Sequence, residues 1–245
     1  MNPTHTARLI GVGVGPGDPD LVTVKGVNAL LDADHIFVPV ADTGELGRAE
    51  STVGAHVDPA RVIRLAFALT DDAARNGGAW DAAGAAVVEA ISDGSTAVFA
   101  TIGDPNIYST FTYLAQTVRA LLPEVVIETI PGITAMQDLA ARSGTVLVEG
   151  RERLVLLPFT AGEEALYEAL ESYDTTVVCY KGGRAMGTVL EIVRECNRMD
   201  VAIYGARLGL EGEEIASAAT RDDAPAPYLS TLIVPADRIS RGGKL

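Results

Sequence analysis

Two cysteines, three histidines, one tryptophan and three lysines are all that the 245 residues hold of those types. Cys179 and Cys196 lie far apart with no CxxC spacing. They read as two thiols of a reducing compartment rather than a disulfide framework. His5, His35 and His56 are scattered and have no cysteine partners at ligand spacing, so no metal site is expected. No apolar run approaches the ~18 residues of a transmembrane helix. Met1 to Gly15 lacks a basic start and an unbroken apolar stretch, so no secretory leader is expected and the location read is cytoplasmic. Positive charge is also scarce: 19 Lys and Arg stand against 33 Asp and Glu, a net charge of -14. That balance argues against nucleic acid, which needs a basic surface to release counterions, and against docking on anionic membranes. A polyanionic small substrate remains compatible, because a local cationic pocket works inside an acidic shell.

Apolar residues make up 48% of the chain, and there are 25 glycines and 12 prolines. A chain of this length buries roughly 70–75% of its extended surface, enough for one large or two modest domains. Short apolar runs alternate with helical patterns. Strands are predicted at Leu9–Val14, Asp34–Val40, Val62–Leu65 and Ser95–Thr101, and helices at Val22–Ala33, Trp80–Ser92 and Ile107–Leu122. The alternation then restarts with strands at Val125–Ile130, Arg153–Leu157, Thr175–Tyr180, Val201–Tyr204 and Ser230–Val234. Helices at Ala135–Arg142, Glu163–Ser172 and Met186–Cys196 are interleaved. This is an α/β pattern with mainly parallel strands. Pro123 cannot continue the preceding helix, which places a domain boundary between residues 1–122 and 123–245. With 7 basic and 14 acidic residues in the first part, and 12 and 19 in the second, each carries a charge of -7. Two such halves imply a cleft, where ligands usually sit.

Four glycine- or proline-marked loops each follow a predicted strand. In Gly11-Val-Gly-Val-Gly-Pro-Gly-Asp-Pro19 the GxGxxG spacing fails, because Pro16 and Asp18 stand where the third glycine belongs. GxxxxGK[ST] is absent too, leaving a tight turn that exposes backbone, with Thr23 or Asp20 able to cap the next helix. Gly103-Asp104-Pro105 lets a ligand approach the main chain. Asp104 suits either a ligand ammonium or hydroxyl, or the cap of the following helix. Thr134 in Pro131-Gly-Ile-Thr-Ala-Met136 opens a helix of small residues, and Lys181-Gly-Gly-Arg184 sets two cations beside two glycines.

Taken in order, GVGPGDPDLVTVKG, GDPNIYST, PGITAMQDLAA and KGGR with a downstream GLEGEEI form a set that resembles the tetrapyrrole (corrin/porphyrin) methyltransferases from Leu9 to Val234. GDPNIYST, and the pairing of ALTDD at 68–72 with PYLSTLIV at 227–234, look like the branch that methylates C20 of precorrin-2 in cobalamin biosynthesis. Sister branches acting on cobalt-factor II or uroporphyrinogen III share most of these motifs. The failed GxGxxG spacing separates the chain from nicotinamide oxidoreductases. The resemblance implies two α/β domains with a cofactor cleft between them, the tetrapyrrole methylase fold. It further implies S-adenosyl-L-methionine as methyl donor, with S-adenosyl-L-homocysteine as product, and a homodimer. Carried onto this sequence, Pro16, Gly103, Asp104, Ile107, Thr134, Ala135, Tyr180, Lys181, Ala206 and Thr231 would line the cofactor. Lys181 departs from the family, where an apolar residue, often methionine, is common. Tyr108 would position a polycarboxylate tetrapyrrole. Arg48, Arg75, Arg184 and Arg207 would meet its carboxylates, because the guanidinium fork binds carboxylates bidentately. No residue declares itself an obligate base, and the polar stretch Ala41–Thr52 is expected to form a flap.

Overall fold

Arg8–Gly13 (β1) is apolar almost throughout, and its side chains point alternately to two buried layers, as expected of a strand covered on both faces. The computed structural model describes residues 6–41, 46–67 and 73–238, the side chains of 73–75 apart. After β1 the chain runs through Val24–Asp32 (α1), His35–Val40 (β2), Arg48–Val53 (α2), Val62–Ala66 (β3), Ala73–Ile91 (α3), Thr96–Thr101 (β4), Phe111–Leu121 (α4) and Val126–Ile130 (β5). The five strands form one parallel sheet in the order β3-β2-β4-β1-β5. Ile10, Val12, Ile36, Val38 and Val98 pack under α1 and α2, while Leu9, Phe37 and Phe99 pack under α3 and α4 on the other face. Thr23 caps α1, its hydroxyl accepting from Gly26 N at 3.0 Å. The helices α3 and α4 touch closely: a Cβ on Gly84 would lie 2.4 Å from Thr117, and Trp80 stacks on Tyr113 with ring centroids 4.3 Å apart.

The second run comprises Ala135–Ser143 (α5), Arg153–Pro158 (β6), Glu163–Leu170 (α6), Thr175–Tyr180 (β7), Met186–Glu195 (α7), Ile203–Ala206 (β8), Glu214–Ser217 (β9) and Ser230–Val234 (β10). Its sheet has the order β6-β7-β10-β8-β9, with α5 on one face and α6 and α7 on the other. The two compact units are Met1–Thr134 and Ala135–Leu245.

Three expectations change. The strand Val126–Ile130, which a boundary at residue 122 assigns to the second part, pairs with β1 in the first sheet. Proline does end α4, but the chain then returns to its own sheet. The second sheet is mixed, since β10 enters antiparallel between β7 and β8, and β9 folds back on β8. Residues 48–52 of the expected flap at 41–52 belong to the helix α2, whose Ala49, Thr52 and Val53 are buried; 42–45 lie outside the described residues, as does ALTDD at 68–72.

Candidate active site

Strands β4, β1 and β5 are neighbours, so the loops at their carboxyl ends stand side by side. Helix α1 leaves β1 toward one face and α4 leaves β4 toward the other. A divergence of this kind opens the crevice in which open α/β sheets bind ligands. The three loops meet backbone to backbone. A Cβ on Gly13 would lie 2.5 Å from the Gly103 carbonyl oxygen and 2.6 Å from Gly132 N; one on Gly132 would lie 2.1 Å from that same oxygen. The Gly103 N–H donates to the Gly15 carbonyl at 2.7 Å. Gly103 itself has φ +70°, and a Cβ there would meet nothing within 4 Å, so this main chain faces open space.

Asp104 is buried, and its carboxylate joins two of the loops. One oxygen accepts from Asn106 N at 2.8 Å and the other from Gly132 N at 3.0 Å. The Ile107 N–H donates to the Asp104 carbonyl, and Ser109 accepts from Phe111 N at the start of α4. Tyr108 stands between them at φ 49° with its ring nearly half exposed. Pro16 is buried in the first loop, which is also held from α2 and the turn after it: the Thr52 hydroxyl donates to the Gly17 carbonyl at 3.2 Å, and a His56 ring nitrogen lies 3.0 Å from the Pro19 carbonyl. The sequence shows no pattern linking Thr52 or His56 to this loop, because the link exists only once α2 is packed.

In the second unit, register brings the candidates together. Thr231 on β10 lies opposite Tyr180 of β7 on one side and Gly205 of β8 on the other. The Tyr180 hydroxyl accepts from Met136 N at 2.9 Å and so fixes the first turn of α5 beside Ala135. Further along α5, Leu139 packs so closely on β8 that a Cβ on Gly205 would lie 2.7 Å from it. Ala206 departs from expectation: its methyl points into the core under α7, which leaves only its main chain for a ligand. Thr134 and Thr231 are buried and Lys181 is half-buried at φ 60°. Replacing Tyr180 with phenylalanine is expected to cost about 1 kcal/mol, read as a lower denaturant midpoint with unchanged slope.

The proposed carboxylate-binding arginines divide. Arg48 is exposed at the first position of α2, Arg184 is exposed in the turn after β7, and Arg207 is exposed at φ 52° just past β8. Arg75 falls inside α3 rather than in a loop, and its side chain lies outside the described part. A pair that the sequence did not suggest, Arg142 with Glu213, bridges 71 positions and holds the Glu213 carboxyl below the usual glutamate range through the guanidinium hydrogen bond.

Residues 8–223 match the family described as Tetrapyrrole (Corrin/Porphyrin) Methylases, nearly nine-tenths of the chain. The protein belongs to that family. The methylase is 32% identical to a Sinorhizobium protein named precorrin-2 C(20)-methyltransferase, with 96% of this chain and 98% of that one aligned. It is 36% identical to a Methanocaldococcus jannaschii protein named probable cobalt-precorrin-2 C(20)-methyltransferase over 70% of this chain and 71% of the other. Its fold is that of the methyltransferase CobJ, at TM-score 0.68 and 20% identity over 98% of both chains. The fold is shared as well with a Thermus thermophilus uroporphyrin-III C-methyltransferase solved with S-adenosylhomocysteine, at TM-score 0.64 and 16% identity over 93% and 97% of the two chains.

Proposed function

We propose that this methylase transfers a methyl group from S-adenosyl-L-methionine to C20 of precorrin-2, in cobalamin biosynthesis. The similarity to precorrin-2 C(20)-methyltransferase along 96% of the chain carries the reading. The geometry fits the donor. A backbone-lined cradle suits a ligand recognised mainly through its own hydrogen-bonding edges. Gly103 leaves open the space that a Cβ would fill. From the first unit we assign Pro16, Gly103, Asp104, Ile107 and Thr134 to the donor; from the second, Ala135, Tyr180, Lys181, Thr231 and the main chain of Ala206. The Asp104 carboxylate accepts from Asn106 and Gly132 and so holds two of the loops that face the donor.

Bound S-adenosyl-L-methionine would supply a methyl group already activated by its sulfonium. The protein's part is then to align donor and acceptor, which is where most of the rate enhancement of such a transfer arises. The rigid seam of Gly13, Gly103 and Gly132 is suited to that task. Tyr108, held in a left-handed conformation that few non-glycine residues adopt, presents its ring for substrate positioning. The reading includes a cytoplasmic homodimer.

The deciding experiment incubates the purified protein with precorrin-2, cobalt-precorrin-2 and uroporphyrinogen III in turn, with a methyl-labelled donor. One added methyl group at C20 of precorrin-2, located by mass spectrometry and NMR, is the expected result. Transfer confined to the cobalt form moves the enzyme to the sister reaction, and methylation of uroporphyrinogen III alone overturns the C20 assignment.

A further inference from the structure

In a chain with so few cations, most of the described arginines are already engaged. Arg8 pairs with Glu128, Arg64 with Glu50, Arg142 with Glu213 and Arg238 with Glu152, while Arg198 donates to a carbonyl. Four are exposed and, among the described residues, make no salt bridge or side-chain hydrogen bond: Arg48, Arg119, Arg184 and Arg207. Only Arg184 and Arg207 of these belong to the second unit. They share one end of the second sheet. Strands β7 and β8 both run antiparallel to β10, so their carboxyl ends lie at the same edge, with Thr231 between Tyr180 and Gly205.

Both residues sit on secured loops. The turn carrying Arg184 is tied by the Ala226 N–H, which donates to the Gly183 carbonyl at 2.8 Å. Arg207 donates its N–H to the Leu229 carbonyl at 3.0 Å and accepts from Leu210 N at 2.9 Å. Its side chain lies across Gly212, where an added Cβ would come within 2.7 Å of Nη1. The loop is closed by Glu213, which accepts from Gly209 N at 2.6 Å and from Arg142 of α5. An arginine at φ 52° with no partner of its own is a costly arrangement in a loop otherwise so well satisfied. Glu211 is exposed in the same loop, so the surface here is not uniformly positive.

We propose that Arg184 and Arg207 form a carboxylate-binding rim at the carboxyl ends of β7 and β8 that takes acid side chains of a polycarboxylate macrocycle, with Gly212 and the Arg142–Glu213 pair positioning Arg207. The identity of the macrocycle rests on the function proposed above; the rim itself is testable apart from it.

The probe is uroporphyrin, a stable macrocycle with eight carboxyl groups, titrated by fluorescence against the full-length protein. Arg184→Gln and Arg207→Gln are each expected to raise Kd about tenfold, as loss of a charged hydrogen-bond pair would. Gly212→Ala should follow Arg207→Gln. Arg119→Gln, which removes an exposed cation on α4, should bind as wild type. Thermal midpoints are recorded for every variant, and Arg184→Gln and Arg207→Gln are expected to match wild type because neither side chain is bonded in the fold. Equal Kd values for wild type, Arg184→Gln and Arg207→Gln overturn the rim. With precorrin-2 as substrate, Arg207→Gln is expected to raise KM about tenfold with kcat changed less than threefold. Arginine-dependent uroporphyrin binding without methyl transfer to precorrin-2 by the wild type keeps the rim and overturns the function. Methyl transfer by the wild type, with KM unmoved in both arginine variants, does the reverse.

Discussion

Gly132→Ala is expected to destabilise the first unit by about 3 kcal/mol or more, at the upper end of what overpacking costs. The added Cβ would stand 2.1 Å from the Gly103 carbonyl oxygen, and no rotamer relieves a clash with main chain. That oxygen has little room to withdraw, because the Gly103 N–H is bonded to Gly15 and Asp104 holds the Gly132 N–H. Backbone conformation does not enter, since Gly132 is not at positive φ. The measurement is a denaturant titration, in which the midpoint should fall at constant slope. A change below about 0.5 kcal/mol, the ordinary range for surface substitutions, would show that the seam is looser than the structure has it. Gly103→Ala makes an instructive companion. Its Cβ meets no protein atom, so the cost should be confined to the left-handed backbone, about 1–2 kcal/mol, while donor affinity falls because the methyl enters the open space of the cradle.

The second large effect is expected at Asp104. Alanine there strips the acceptor from two N–H groups, and bonds of this charged kind contribute about 1.5–3 kcal/mol each. Asn106 is exposed and regains water, so the expected loss is about 2–4 kcal/mol, most of it from the Gly132 N–H. Asparagine tests the geometry more closely, because each carboxylate oxygen serves a different N–H. The amide can satisfy one and must turn its own N–H groups toward the other. Asp104→Asn should therefore fall between alanine and wild type in stability, and both variants should bind S-adenosyl-L-methionine at least about tenfold more weakly as the PGIT loop loosens. Donor affinity unchanged in Asp104→Ala, measured by calorimetry on folded protein, would remove Asp104 from any positioning role.

The strands were the most legible part of the fold. Thr175–Tyr180 and Ser230–Val234 agree with expectation to the residue, because a short apolar run bounded by turn residues has few other uses. Their partners were not legible. Nothing local tells Val126–Ile130 to lie against β1, or β10 to enter between β7 and β8; such choices belong to topology. Helix α3 begins seven residues earlier than Trp80 and carries Gly77 and Gly78 within it. Helix α2 was missed since its N-cap is Gly47, which has no capping side chain, and six residues show little periodicity. At the candidate site the glycines were read as main chain open to a ligand; that they also meet one another across three loops was not foreseen. That convergence needs the strand order β4-β1-β5, which no motif states. Asp104 was open between a cap of the following helix and a ligand contact; α4 begins only at Phe111, and the carboxylate instead accepts from Asn106 N within its own turn and crosses to Gly132 N.

Strand β10 has a temporal consequence. During synthesis β6 and β7 can pair, and β8 can form a hairpin with β9, but within the sheet the two pieces are joined by residues 230–234 of β10. The first unit is complete in sequence by residue 134 and can fold while the rest is still emerging. The second must hold two open strand edges, β7 and β8, until residues 230–234 have emerged. During that interval unpaired edges are exposed to association with other chains. A ribosome pausing between the codons for β9 and β10 would prolong that exposure, so solubility on expression should depend on how fast residues 218–234 are translated.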